Sequence, residues 1–257
     1  MSMTPDQLLQ EQASEFNATL LRIKGGDSSV QWYPYSSMSN VTHLMEILPE
    51  TVKTGLSAGN AGLRVLDVGA ADGDLGYFFE SRGNAVDFLD NPPTNYNDCK
   101  GILALRGALG SPSRLITQDI DREIRLEGEY DLAIALGLLY HLRNPMLFLM
   151  ELAQHARTMV LSTRVAERLP DGTSIGSSSV AYLLRCRESN DDPTNYWCFS
   201  SLGLETVLRR SGWRVMATHS IGAGEESDPV TVAGDRRDFV YCERVANWRD
   251  LGAHHDF

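Results

Sequence analysis

The 257-residue chain carries only four cysteines, Cys99, Cys186, Cys198 and Cys242, with no C-x-x-C pair and no metal-ligand spacing among them. This argues against a disulfide framework or a zinc knuckle and predicts reduced thiols. No apolar run approaches the roughly 18 residues that a membrane-spanning helix needs. The segment MSMTPDQLLQEQASEF has neither a basic n-region nor an apolar h-region, which predicts a cytoplasmic protein. Basic residues are scarce: 23 Lys and Arg stand against 34 Asp and Glu, for a net charge of −11. Binding of a nucleic-acid backbone needs clustered cations, and the densest clusters are the short RRSGWR near 209 and DRRDF near 235, so nucleic acid is not a favoured partner. There is no internal repeat. An apolar content of 42% and a charged content of 22% fit a globular chain long enough for one α/β domain.

Thr4-Pro5 reads as an N-cap followed by proline in the first helical turn, and Leu8, Leu9, Phe16, Leu20 and Leu21 lay an apolar stripe along a helix to about Lys24. An aromatic loop, DSSVQWYPYSSMS, follows, and then a second predicted helix, VTHLMEILPETV, capped by Asn40. From residue 63 strands alternate with helices: strands over 63–68, 85–89, 114–119, 130–136 and 158–163, helices near 74–82 and 96–108 and over 145–156. Apolar strands such as LAIALG fit a parallel sheet covered on both faces. The alternation predicts a doubly wound, mostly parallel α/β sheet of seven strands, the last two being WRVMATHSI and DFVYCERV after the helix SLGLETVLRRSG. The expected organisation is an N-terminal cover segment over 1–60, a main domain over 61–246 and a tail over 247–257. Residues 164–200, rich in Gly, Ser and Asp, are too long for a tight connection and read as a lid.

The chemistry centres on VLDVGAADGDLG, residues 65 to 76. Gly69, Ala71 and Gly73 sit at alternate positions, where small residues allow a tight turn and close approach of a ligand, although a plain strand-to-helix turn needs them too. A dinucleotide loop would read G-x-G-x-x-G and hold a pyrophosphate, which Asp67, Asp72 and Asp74 would repel; a Walker loop is excluded for want of Gly-Lys-Ser/Thr. Carboxylates beside small residues suit a ligand with ribose hydroxyls, a cationic group and no phosphate, as in S-adenosylmethionine. AVDFLD ends at Asp90, about 20 residues on, where ribose hydroxyls are held in such folds; Asp87 competes for that role. Asn91, which follows Asp90, is a further cofactor-binding candidate. Asp119 and Ile120 are placed to meet the adenine, and Leu136 and Gly137 to line the crevice outside the strand ends.

Residues 63 to about 163 resemble a class I S-adenosylmethionine-dependent methyltransferase: strand one is similar to the D-x-G-x-G-x-G motif, with Ala71 in place of the middle glycine. A narrower resemblance, carried by YDLAIALGLLYHLRNP, TNYWCFSSLGLETVLRRSGW and QWYPYSSMSNVTHL, is to the tRNA wobble-uridine carboxymethyltransferase family and its relatives. It implies that the aromatic segment, with Trp32 and Tyr33, packs over the cofactor and that the LYH turn borders the substrate. Members using a carboxylated cofactor place basic residues in that segment. Residues 25 to 52 contain no Lys or Arg, which implies ordinary S-adenosylmethionine and argues against a tRNA substrate.

The expected activity is methyl transfer to a small molecule, at oxygen. His141 is the candidate general base, with packing at the turn as its alternative role, and Tyr140 is expected to pack against the cofactor. Within the insertion Tyr182, Arg187, Asn195, Tyr196 and Trp197 are candidates to meet the acceptor; a purely structural lid would bury the same aromatics. No metal is expected, since His254, His255 and Asp256 stand in the tail without further ligands. A tRNA-modifying transferase and a non-catalytic cofactor-binding module are the competing readings.

Overall fold

A computed structural model describes residues 3–122, 124–231 and 235–245. The chain divides into two compact units, Met1–Asp119 with Tyr130–Ile134, and Ile120–Glu129 with Ala135–Phe257. The architecture is the expected Rossmann-like α/β fold, a mostly parallel sheet with flanking helices.

In the first unit, α1 (Pro5–Gly26) starts at a full capping box: Thr4 Oγ1 accepts from the Gln7 N–H, and Gln7 Oε1 accepts from the Thr4 N–H. The helix buries Leu9, Ala13 and Leu20. The single helix expected after Asn40 is two, α2 (Val41–Met45) and α3 (Glu50–Ala58). Pro49 is the reason: it lacks an N–H and its ring clashes with a preceding turn, so it stands at the N-cap of α3 instead of inside a helix. Asn40 makes no capping hydrogen bond. Then come β1 (Arg64–Val68), α4 (Asp74–Ser81), β2 (Ala85–Asp90), α5 (Lys100–Leu109), β3 (Arg114–Thr117) and β4 (Tyr130–Leu136), of which Ala135 and Leu136 count with the second unit. The strands lie parallel in the order β3-β2-β1-β4, with Asp67 opposite Phe88 and Ile134. Helix α5 starts later than the sequence suggests, because Asp98 and Cys99 adopt positive φ (55° and 62°) and end a run of turns from Asn91.

In the second unit are α6 (Pro145–His155), β5 (Ala156–Ala166), β6 (Ala181–Leu183), β7 (Trp197–Ser200), α7 (Ser201–Arg210), β8 (Trp213–Gly222) and β9 (Arg236–Arg244). Strand β9 runs antiparallel to both β5 and β8, while β7 runs parallel to the end of β5 and pairs with β6. The described residues hold nine strands where seven were expected, and the additional pair, β6 and β7, lies inside the insertion. No helix among the described residues is long and apolar enough to cross a membrane.

Candidate cofactor loop and acceptor residues

The turn from β1 into α4 follows from its small residues. Gly69, Ala71 and Gly73 all take positive φ (65°, 55° and 84°), and the Gly69 N–H donates to the Leu89 carbonyl at 2.9 Å. Ala71 is the one side chain in this trio, at a cost of roughly 1–2 kcal/mol for an L-residue there. Gly76 is equally constrained, since a Cβ on it would fall 2.8 Å from Asp67 Oδ2 and against the Phe88 ring.

The acids of this region fall into two groups. Asp72 and Asp74 share Lys24, at 2.8 Å each, and Asp72 also accepts from the Tyr33 N–H (3.0 Å) and from Asn97 Nδ2 (2.8 Å). Asp87 is held by Arg114 through two hydrogen bonds (2.9 and 2.6 Å), by the Tyr130 hydroxyl (2.8 Å) and by Arg64 at 3.5 Å. Asp67 and Asp90 differ: they are 5% and 6% exposed, and no Lys or Arg among the described residues pairs with either. Asp67 Oδ2 accepts the Gly76 N–H at 3.0 Å, and Asp90 accepts from the Asn91 N–H (2.8 Å) and Asn95 Nδ2 (3.0 Å). Burial pushes the Asp67 carboxyl up to about 7, with the neighbouring Asp90 and Asp74 charges adding to the rise against the Gly76 hydrogen bond. Burial likewise raises Asp90 above the ordinary carboxylate range. The strand ends β1 and β2 therefore present two desolvated carboxylates, each suited to a donor or a cation.

Trp32 and Tyr33 lie beside this loop. Lys24 Nζ sits 5.4 Å from the Trp32 ring centroid, Trp32 Nε1 donates to the Asp27 carbonyl, and the Tyr33 ring meets Tyr96 edge-on at 5.6 Å. The aromatic segment thus does have a cation near it, delivered by α1, but Asp72 and Asp74 already engage it. The Gln118 N–H, next to Asp119, donates to the Asp90 carbonyl. Lys24, Asn95, Asn97 and Arg114 escaped the sequence reading; their partners stand 5 to 50 residues away with no spacing to mark them.

The remaining candidates belong to the second unit. Ile120 is buried, and the Gly137 N–H donates to Ser162 O and Oγ (2.9 and 3.0 Å). Leu136 ends β4. Tyr140 and His141 stack with centroids 4.4 Å apart, and Arg237 donates to the Tyr140 hydroxyl at 3.3 Å with its guanidinium 5.6 Å from the ring. His141 Nδ1 lies 3.0 Å from Thr194 Oγ1 and 3.3 Å from the Thr194 carbonyl. Burial holds the His141 imidazole below its usual value, with the Asp192 charge opposing. Tyr140, Asn195 and Trp197 line one small cavity of about 20 Å³ with Arg164, Asp235 and Arg237. Asn195 Oδ1 and Trp197 Nε1 are buried there without a hydrogen-bond partner among the described residues. Tyr182, Arg187 and Tyr196 stand outside that lining: Tyr182 reaches Glu188, Arg187 folds back on Asp191, and the Tyr196 N–H donates to the Tyr140 carbonyl.

Arg164, missed in the sequence, is a buried hub. It donates to Ser189 Oγ and to the carbonyls of Asp228 (3.0 Å) and Thr231 (2.7 Å), and pairs with Asp235 at 2.6 Å. In the two basic clusters Arg209 pairs with Glu205, Arg214 with Glu243, and Arg236 with Glu167 and Asp238. The tail histidines lie outside the described residues, and among the described residues no His, Cys, Asp and Glu group has metal-holding geometry.

No family model and no curated protein matches this sequence. Solved structures do match it. The 1,6-didemethyltoxoflavin-N1-methyltransferase of Burkholderia thailandensis, with bound 1,6-didemethyltoxoflavin and S-adenosylhomocysteine, is 17% identical with a TM-score of 0.53, over 95% of this chain and 92% of that one. An S-adenosylmethionine-dependent methyltransferase from Mesorhizobium loti is 15% identical with a TM-score of 0.53, over 80% and 98% of the two chains. The N-terminal domain of EvdMO1 with SAH bound is 18% identical with a TM-score of 0.50, over 89% and 96%. What the chain shares with these solved structures is the α/β fold.

Proposed function

We propose that the protein is an S-adenosylmethionine-dependent methyltransferase that modifies a small-molecule acceptor at oxygen. The observation that carries this reading is the pair of buried carboxylates, Asp67 and Asp90, with which no Lys or Arg among the described residues pairs, beside a loop whose backbone turns on Gly69, Ala71 and Gly73. Such acids repel a pyrophosphate and favour hydroxyl donors and positive charge. The bound cofactor supplies an electrophilic methyl group on a sulfonium. Asp90 accepts hydrogen bonds from its ribose hydroxyls, and Asp67 favours its cationic end. The similar structures, which hold SAH or S-adenosylhomocysteine and in one case a small heterocycle, support the same reading.

On the acceptor side His141 takes the proton that an attacking hydroxyl must lose. Its depressed basicity keeps the imidazole neutral, hence able to accept a proton, at neutral pH. Isothermal titration with S-adenosylmethionine and S-adenosylhomocysteine tests the reading: saturable binding of both is expected, and binding of neither overturns it.

A further inference from the structure

We propose that Thr194 and Asp192, both in the insertion, are positioning residues that lock His141 in one tautomer. Thr194 Oγ1 lies 2.6 Å from Asp192 Oδ1, and an ionised carboxylate only accepts, so the hydroxyl proton is committed to Asp192. The same carboxylate oxygen accepts the Thr194 N–H at 2.8 Å, which fixes the turn. His141 Nδ1 faces Thr194 Oγ1 at 3.0 Å and the Thr194 carbonyl at 3.3 Å. A carbonyl cannot donate, and this hydroxyl has already spent its proton. Nδ1 must therefore carry the hydrogen. In the neutral ring that leaves the lone pair on Nε2, and Nε2 is the proton acceptor.

The relay also acts once the proton has moved. The proton leaving an acceptor hydroxyl forms the Nε2–H bond, and the ring becomes a cation with N–H on both sides. Asp192, through Thr194, then faces a positive ring. The charged and titratable groups around His141 are Asp192, which favours the cation, Arg237, which opposes it, and the stacked Tyr140. On this account the insertion contributes to the base itself as well as covering the acceptor. The inference rests on the base role proposed for His141, but its test does not need the acceptor.

Nitrogen-15 NMR of the histidine rings in the full chain reads the tautomer and its titration directly. The expected result is His141 as the Nδ1–H form in the wild type, with its pKa falling in Asp192→Asn, because a charge that favours the cation is lost. Thr194→Ala should mix the tautomers, and Thr194→Ser should restore the wild-type spectrum. An Nε2–H ring in the wild type overturns the proposal without recourse to any variant, as does an unchanged titration in a folded Asp192→Asn protein. Binding of S-adenosylhomocysteine, measured on the same samples, fails or succeeds separately and reports on the methyltransferase reading alone. Once an acceptor is known, Thr194→Ala should lower kcat and shift its acidic limb while KM holds, and Thr194→Ser should recover both.

Discussion

Lys24 Nζ lies 2.8 Å from Asp72 Oδ2, with the two side chains 13% and 2% exposed, and its second contact, to Asp74 at 2.8 Å, ties the end of α1 to the start of α4. Removing one partner of a buried ion pair leaves an uncompensated charge, which costs about 3–5 kcal/mol. Lys24→Met should lower stability on that scale, read as the midpoint of chemical unfolding. Adding Asp72→Asn should recover part of the loss; a double variant worse than the single would contradict the pairing.

Asp90 and Asp87 lie on the same strand and should separate cleanly. Asp90→Ala is expected to weaken binding of S-adenosylhomocysteine by roughly 1–3 kcal/mol, the range for lost charge-assisted hydrogen bonds. Asp87→Asn should leave that affinity near wild type and lower stability instead, since Arg114 and Arg64 lose their counter-charge and only one acceptor oxygen remains for Arg114 and Tyr130. Calorimetry on both variants decides, and the opposite assignment of effects would move the ribose role to Asp87.

Asp67 makes the site sensitive to pH. Its folded-state value is raised to about 7, so without ligand its contribution to stability is fully present below the unfolded carboxylate range and is lost as pH rises through 7. A ligand that prefers the ionised carboxylate must displace that proton below 7. Affinity for S-adenosylmethionine should therefore fall with decreasing pH, approaching tenfold per unit below about 6. Asp67→Asn should flatten both dependences, as thermal unfolding and titration calorimetry at several pH values would reveal.

Gly76→Ala places a methyl group 2.8 Å from Asp67 Oδ2 and 2.9 Å from Phe88 Cζ. The clash should cost about 1–3 kcal/mol and disturb cofactor binding as well. Gly107→Ala on the exposed side of α5, where nothing lies within 4 Å, is the matched control and should stabilise by about 0.5–1 kcal/mol. Equal melting temperatures for the two variants would refute the steric account.

The sequence was most informative where a property is local. The run YDLAIAL marks β4 to the residue because a strand covered on both faces is nearly all apolar, and Pro145 opens α6 where the helix over 145–156 is expected. Pro49 was visible too, yet the apolar spacing around it outweighed the proline and produced one helix where two exist. The acids at residues 67, 72, 74, 87 and 90 were all recognised, but their division into compensated and bare was not. That division depends on Lys24, Arg114 and Tyr130, brought in by chain topology from 27 to 50 residues away. The relay on His141 was hidden for the same reason, since Thr194 stands 53 residues downstream.

The hub at Arg164 bears on how exchangeable the insertion is between related proteins. A guanidinium that is 5% exposed is tolerable only when its charge is paired and its donors are engaged, and Ser189 of the insertion engages one of those donors. Grafting a different insertion onto this scaffold would strand that donor, and so would deleting the native one. Inheritance of this segment is therefore tied to the strand beneath it. A recombinant that swaps residues 167 to 196 should need a neutral partner substitution at Arg164 before it folds.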